Sequence, residues 1–241
     1  MSSRQWKRLI ETLTPTYRVI APDFIGSGAN PIWPDTSPFH FHEDVAAIER
    51  LVESLERPFH IVGHSYGGLI GLTFALRHPN RVRSIALFEP VAMGVLYSTN
   101  ATEGLANLSE AKVKEPASDP SFGGSEPWFE GFIDYWNGPG AWKLLPEQAR
   151  AGFLRVGRKV FYEVDTLLRD RTPADAYKVI TAPALFLSGE TSPIAARQVV
   201  EILAATLPNG SKRVIAGAGH MAPIFNASEV NQLIAHHIAG A

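Results

Sequence analysis

Residues 59–71 read FHIVGHSYGGLIG, an apolar run that changes its period around a serine set among glycines. Up to Gly63 the run suits a strand, and from Tyr66 onward, in YGGLIGLTFALRHP, it suits a helix. Ser65 therefore occupies the centre of a G-x-S-x-G motif at a strand-to-helix turn, which is the context that makes such a serine a candidate nucleophile. The sharp turn holds the hydroxyl out at the carboxyl edge of a sheet. Gly63 and Gly67 are expected to let strand and helix approach closely, and the backbone N–H of Tyr66, at the helix start, is placed to stabilise an oxyanion. The plain alternative is a tight turn without chemistry.

Working outward, the strand-then-helix rhythm recurs. An amphipathic opening helix (4–14) precedes YRVIAPD (17–23), a β-branched run stopped by Pro22 and the glycines Gly26 and Gly28, which reads as a strand ending in a loop. HEDVAAIERLVESL (42–55) then places Val45, Ile48, Leu51, Val52 and Leu55 at helical spacing. After the FHIVG strand and its helix comes RVRSIALFEP, too continuously apolar for a half-exposed strand. The rhythm breaks at about residues 93–175, where SDPSFGGSEPWFEGFIDYWNGPGAW crowds Gly, Pro, Ser and aromatics and helical patterns follow without strands. It resumes with APALFLSGE, the helix IAARQVVEILAATLP, the strand SKRVIAG and a last helix ASEVNQLIAHHIA. The expectation is an α/β fold, a mostly parallel central sheet with helices on both faces, formed by residues 1–92 and 176–241 and interrupted by a helical cap over 93–175.

Composition narrows the function. The 241 residues are 45% hydrophobic and 19% charged, as in ordinary soluble globular domains. A formal net charge of -2, with no run of Lys or Arg, gives no electrostatic reason to expect nucleic acid or an anionic membrane as partner, so small neutral molecules are the expected ligands. The absence of cysteine excludes disulfides, thiolate metal sites and a cysteine nucleophile. With neither a signal-peptide pattern at the start nor a long uncharged apolar stretch, the expected location is the cytoplasm. A GSG at 26–28 hints at a dinucleotide loop, but Pro31 stands where a third glycine would be needed.

A serine hydroxyl needs a base within hydrogen-bond reach, held in the right tautomer by a third group. His220, in VIAGAGHMAP, follows the last apolar strand and should emerge on the same sheet edge as Ser65. His40 and His42 lie in a Pro-flanked loop and His236 and His237 in the terminal helix, where solvated surface is the expectation. His64 adjoins Ser65 but should point away from its hydroxyl. No H-E-x-x-H or comparable spacing supports a metal.

The elbow GHSYGG, the loop APDFIGSGANP and the late GAGHMAP occur in the order found in α/β-hydrolases, and the chain resembles that family over nearly its whole length. The resemblance implies cofactor-free cleavage of an ester or related acyl bond through an acyl-serine. The family commonly carries its acid in a G-x-x-D pattern after the strand that follows the cap, but here that stretch is Gly189-Glu190-Thr191-Ser192. Glu89, at the end of RVRSIALFE, matches the place where the similar haloalkane dehalogenases carry an acid glutamate, so Glu89 is the expected partner of His220 and Glu190 the reserve. The resemblance also implies a further strand and an oxyanion loop ahead of SRQW, lying between the YRVIAPD and FHIVG strands; the expectation is that the given start is internal to a longer reading frame.

Trp128, Phe132 and Trp136, in EPWFEGFIDYWNGPGAW, are expected to line an apolar substrate pocket, although each alone is as well explained as glue between cap and core. The reading is a serine esterase for small or medium apolar esters, with no cofactor and an open oligomeric state. The alternatives are a catalytically silent ligand-binding protein and a carbon–carbon bond hydrolase using the same groups.

Overall fold

The computed structural model describes residues 2–34, 36–113 and 121–241. Four strands, β1 (Phe59–His64), β2 (Val82–Phe88), β3 (Ala184–Gly189) and β4 (Gly210–Ile215), form one parallel sheet in which spatial order equals chain order. Parallel neighbours require crossovers, and helices supply them. The helix α1 (Lys7–Leu13) opens the chain, α2 (Phe41–Leu51) precedes β1, and α3 (Tyr66–Arg77) joins β1 to β2. Between β2 and β3 lie α4 (Gly94–Ser98), α5 (Thr102–Val113), α6 (Glu126–Asn137), α7 (Ala141–Leu144), α8 (Glu147–Arg155) and α9 (Gly157–Arg169). Then α10 (Ile194–Thr206) connects β3 to β4, and α11 (Ala222–Phe225) and α12 (Ala227–Ala239) close the chain.

The period of two in the central strands decides which helices cover which face. Ile85 and Leu87 of β2 and Phe186 of β3 pack with Leu69 and Leu72 of α3, Val45 of α2 and Val199 and Leu203 of α10. Their alternates Ala86, Phe88, Leu185 and Leu187 pack on the opposite face with Leu9 and Leu13 of α1 and Val230, Ile234 and Ile238 of α12. Each Val, Leu, Ile or Phe among them contributes about 1.5–3 kcal/mol by leaving water, so the two clusters hold β2 and β3 from both sides. The inserted helices have a separate apolar cluster built on Trp128, Phe129, Ile133, Trp142 and Phe161. Its helix α6 begins with Pro127 in the first turn and ends at Gly138, whose φ of 94° suits glycine. Residues 118–120, the start of the Gly- and aromatic-rich stretch, lie outside the described residues.

Two expectations are corrected. The helix expected over 42–55 ends at Leu51, where the chain tightens so that Leu55 N–H donates to Val52 O rather than continuing the α pattern. The expected strand YRVIAPD is not one: residues 18–23 have no regular secondary structure and join no ladder. A strand exists only where a neighbour's backbone accepts and donates its hydrogen bonds, and β1 does not reach this segment. Trp6, Tyr17, Val19, Ala21, Ile61, Val62 and Phe74 instead line a cleft of about 970 Å3. β1 is thus an edge strand, and its first four residues are only half-buried.

Candidate active site

β1 ends at His64 and α3 begins at Tyr66, so Ser65 alone makes the turn, with φ 54° and ψ -120°. A non-glycine residue at positive φ stores on the order of ~1–3 kcal/mol, held here by the packing around it. The glycines responsible differ from the sequence expectation. A Cβ on Gly63 would stand 2.7 Å from Gly67 O and Gly68 Cα, and one on Gly68 would stand 3.0 Å from Pro90. At Gly67 a Cβ would meet only the Phe24 ring, at 3.6 Å, so Gly63 and Gly68 are the residues the crossing requires.

Glu89 repeats the arrangement one strand over. His64 and Phe88 are register partners, Ser65 N–H donates to Phe88 O at 2.9 Å, and Glu89 N–H donates to Leu187 O at 2.9 Å. Ser65 and Glu89 are therefore the first residues beyond two adjacent strands, and Glu89 also has a positive φ, 44°. Its carboxylate is 0% exposed: Oε1 accepts from Gly189 N–H at 2.7 Å and Oε2 lies 2.6 Å from His220 Nδ1. A proton on Nδ1 leaves His220 Nε2 with a free lone pair, the form a general base needs.

His220 is 4% exposed and supported from two further directions. His64 Nε2 donates to the His220 carbonyl oxygen at 2.9 Å. Burial, then the neighbouring His220, holds the His64 pKa well below its usual 6.5, so it is a neutral structural donor. The indole of Trp136 stacks on the His220 ring, 4.0 Å between centroids and 28° between planes. Burial, followed by the charge of Glu89, raises the Tyr135 phenol, which stays protonated and donates to Asn107 Oδ1 at 3.1 Å. Ser65, 8% exposed, forms no hydrogen bond to His220 within 3.5 Å among the described residues. Such bonds often close only when substrate arrives.

The model of the alpha/beta hydrolase family matches residues 1–233, nearly the full chain. The chain belongs to the alpha/beta hydrolase family. Among its relatives in that family, a putative carbamate hydrolase RutD of Stutzerimonas stutzeri is 23% identical over 97% of this chain and 86% of its own. The 2-hydroxy-6-oxo-2,4-heptadienoate hydrolase of Pseudomonas putida is 36% identical over 42% of this chain and 35% of its own. A thermophilic esterase from Thermogutta terrifontis superposes with a TM-score of 0.69 at 21% identity, covering 100% of this chain and 86% of that one, a likeness of fold.

Within this alpha/beta hydrolase, the other candidates fall in different places. Glu190 is exposed and its Oε2 accepts from Gly217 N–H at 2.7 Å, so it does not hold His220. Ser192, where the family pattern would put an aspartate, is buried with its hydroxyl unpartnered among the described residues. Trp128 lies in the inserted helices' own cluster, stacked on Phe132 at 5.1 Å, while Trp136 reaches His220. His237, expected on the surface, is half-buried, and burial lowers its pKa. No group of three or more His, Asp or Glu among the described residues is arranged to hold a metal, and no described helix is long and apolar enough to cross a membrane.

Beside the serine lies a cluster that no local pattern announced. Asp44 on α2, 0% exposed, accepts from Tyr66 Oη at 2.7 Å and from Lys159 Nζ at 3.0 Å with Oδ2, and from Ile25 N–H at 2.9 Å with Oδ1. Lys159 Nζ also pairs with Glu163. Burial raises the Tyr66 phenol well above its usual value, assisted by the charges of Glu163 and Asp44, so its hydroxyl remains a donor. The only sequence trace was the Lys159/Glu163 spacing of four, which alone reads as a surface helix pair.

Proposed function

We propose that the chain is a serine hydrolase that cleaves small to medium apolar carboxylic esters through an acyl-serine intermediate. The observation that carries this reading is the buried Glu89–His220 pair, 2.6 Å apart, beside the strained Ser65 at the ends of adjacent strands. Ser65 Oγ attacks the ester carbonyl carbon as His220 Nε2 removes the hydroxyl proton. The resulting oxyanion takes a hydrogen bond from Tyr66 N–H, and Glu89 stabilises the imidazolium. Collapse breaks the carbon–oxygen bond, and the alcohol leaves with the proton from His220. Water then attacks the acyl-serine, His220 accepts its proton and returns it to Ser65, and the carboxylic acid departs. The helices inserted over about residues 93–175 act as a cap. Trp136 contributes the apolar wall nearest the base, which favours uncharged acyl or alcohol groups.

The test is the intact mass of the full chain and of Ser65→Ala after treatment with a fluorophosphonate, which reports an activated serine without the substrate. One adduct on the parent that is absent from the variant is the expected result. No adduct on a folded parent sample would overturn the reading and leave a ligand-binding protein. Similarity to the 2-hydroxy-6-oxo-2,4-heptadienoate hydrolase favours a second reading, carbon–carbon bond hydrolysis by the same residues. Supplying that dienoate beside a p-nitrophenyl ester separates them, since turnover of the dienoate alone would displace the ester.

A further inference from the structure

The mechanism leaves unused a buried cluster of charges, Asp44, Lys159 and Glu163. Lys159, on α9 of the inserted segment, is 2% exposed, and it meets Asp44 of α2 across 115 residues of sequence. Its ammonium lies 4.2 Å from the centroid of the Phe39 ring and 5.5 Å from that of Tyr66, a cation enclosed by two aromatic faces and two carboxylates. Buried ion pairs are a poor means of adhesion, because desolvation cancels much of their attraction and apolar packing serves as well. Phe161 and Leu167 already give α9 buried apolar anchorage. What the charges add is direction.

Asp44 is a branch point. One oxygen holds Ile25 N–H in the loop that passes beside the elbow; the other is shared by the Tyr66 hydroxyl and Lys159. Tyr66 is also the residue whose backbone N–H faces the oxyanion in the reaction proposed above, on which this inference rests. Its ring makes a T-shaped contact with Phe24, 5.3 Å between centroids, so the side chain is held at both its ring and its hydroxyl.

We infer that Asp44 and Lys159 are positioning residues that tie the oxyanion donor of Tyr66 to the cap helix α9, so that the site is competent only when α9 is seated. Misplacing a reacting geometry by as little as about 1 Å costs up to about 10²-fold in rate. Cutting the link therefore lowers the chemical step about tenfold or more while leaving binding of the reagent unchanged.

The experiment measures kinact and KI for a fluorophosphonate on the full chain, with unfolding midpoints in parallel. The variants are Tyr66→Phe, Lys159→Met and the charge-balanced Lys159→Met/Glu163→Gln. Tyr66→Phe removes one hydroxyl and leaves the Asp44–Lys159 pair intact, so it decides the matter even where Lys159→Met fails to fold. The expected result is a fall in kinact of about tenfold or more at constant KI in Tyr66→Phe and in the double variant. Wild-type kinact in the folded variants would overturn the inference and leave the cluster an attachment of α9. Absence of any Ser65 adduct on the parent chain would overturn the nucleophile reading, and the inference with it.

Discussion

The end of β1 and the flank of β1 are built to different standards. At its end, backbone strain is concentrated at Ser65, and the neighbouring Glu89 carboxylate is bonded at both oxygens, to Gly189 N–H and His220. Along its flank, six residues away at most, half-buried side chains face a cleft of about 970 Å3 and a segment, residues 18–23, that joins no sheet. The carboxyl ends of β1 and β2 are held by backbone pairing, while the outer flank of β1 is only half-buried. Ser65 and Glu89 are set by the register His64↔Phe88 and by the β2–β3 pairing that receives Glu89 N–H.

The largest effect should come from breaking the junction chemically. Glu89→Gln keeps the shape but replaces an anion by a neutral amide, which can also stabilise the wrong His220 tautomer. Ester turnover should fall by about 10³–10⁴-fold with KM little changed, a drop read from initial rates. A variant within threefold of the parent would make Glu89 a structural group only. Next, the two sides of β1 should respond differently to truncation. Leu87→Ala in β2, fully buried, should cost about 3–5 kcal/mol in urea unfolding, whereas Ile61→Ala, which already borders the cleft, should cost about 1–2 kcal/mol. Equal costs would mean that the flank is as well packed as the junction.

The smallest effect concerns His64, which belongs to both regions because it lines the cleft and supports the His220 carbonyl. Its folded pKa lies below the unfolded value near 6.5, so the unfolded chain takes up a proton that the native chain refuses. Its contribution is present above that pH and is lost as pH falls through the window below it. The melting midpoint of the parent should drop between about pH 7.5 and about pH 5, and His64→Gln should drop by a few degrees less. The slope will diminish rather than vanish, because burial also lowers His42, His60 and His237. An unchanged slope would show that His64 does not carry its share.

Much of the fold was legible because its signals are local. The continuous apolar runs of β2 and β3, the shift of period at Ser65 and the strand–helix rhythm all sit within a dozen residues, the range over which hydrophobic period is expressed. YRVIAPD misled for the same reason: its β-branched composition describes a preference, and a ladder also needs a partner backbone beside it. Gly67 misled differently, since the motif names Gly63 and Gly67, and only the packing of strand and helix shows that the tight positions are Gly63 and, one residue past the motif, Gly68 against Pro90.

By itself, the sequence determined an α/β architecture, a serine on a strand-to-helix turn, and a histidine and two candidate glutamates at strand ends, because alternation of strand and helix puts every strand's carboxyl end on one edge. The resemblance put Glu89 ahead of Glu190, and the tertiary structure supplied the contact itself, drawing Glu89 to His220 across 131 residues while Glu190 turned to Gly217. The tertiary structure alone joined Asp44, Tyr66 and Lys159. Pairings of that kind are set by strand register and by the cost of an unpartnered buried charge, and neither is written in any short stretch of chain.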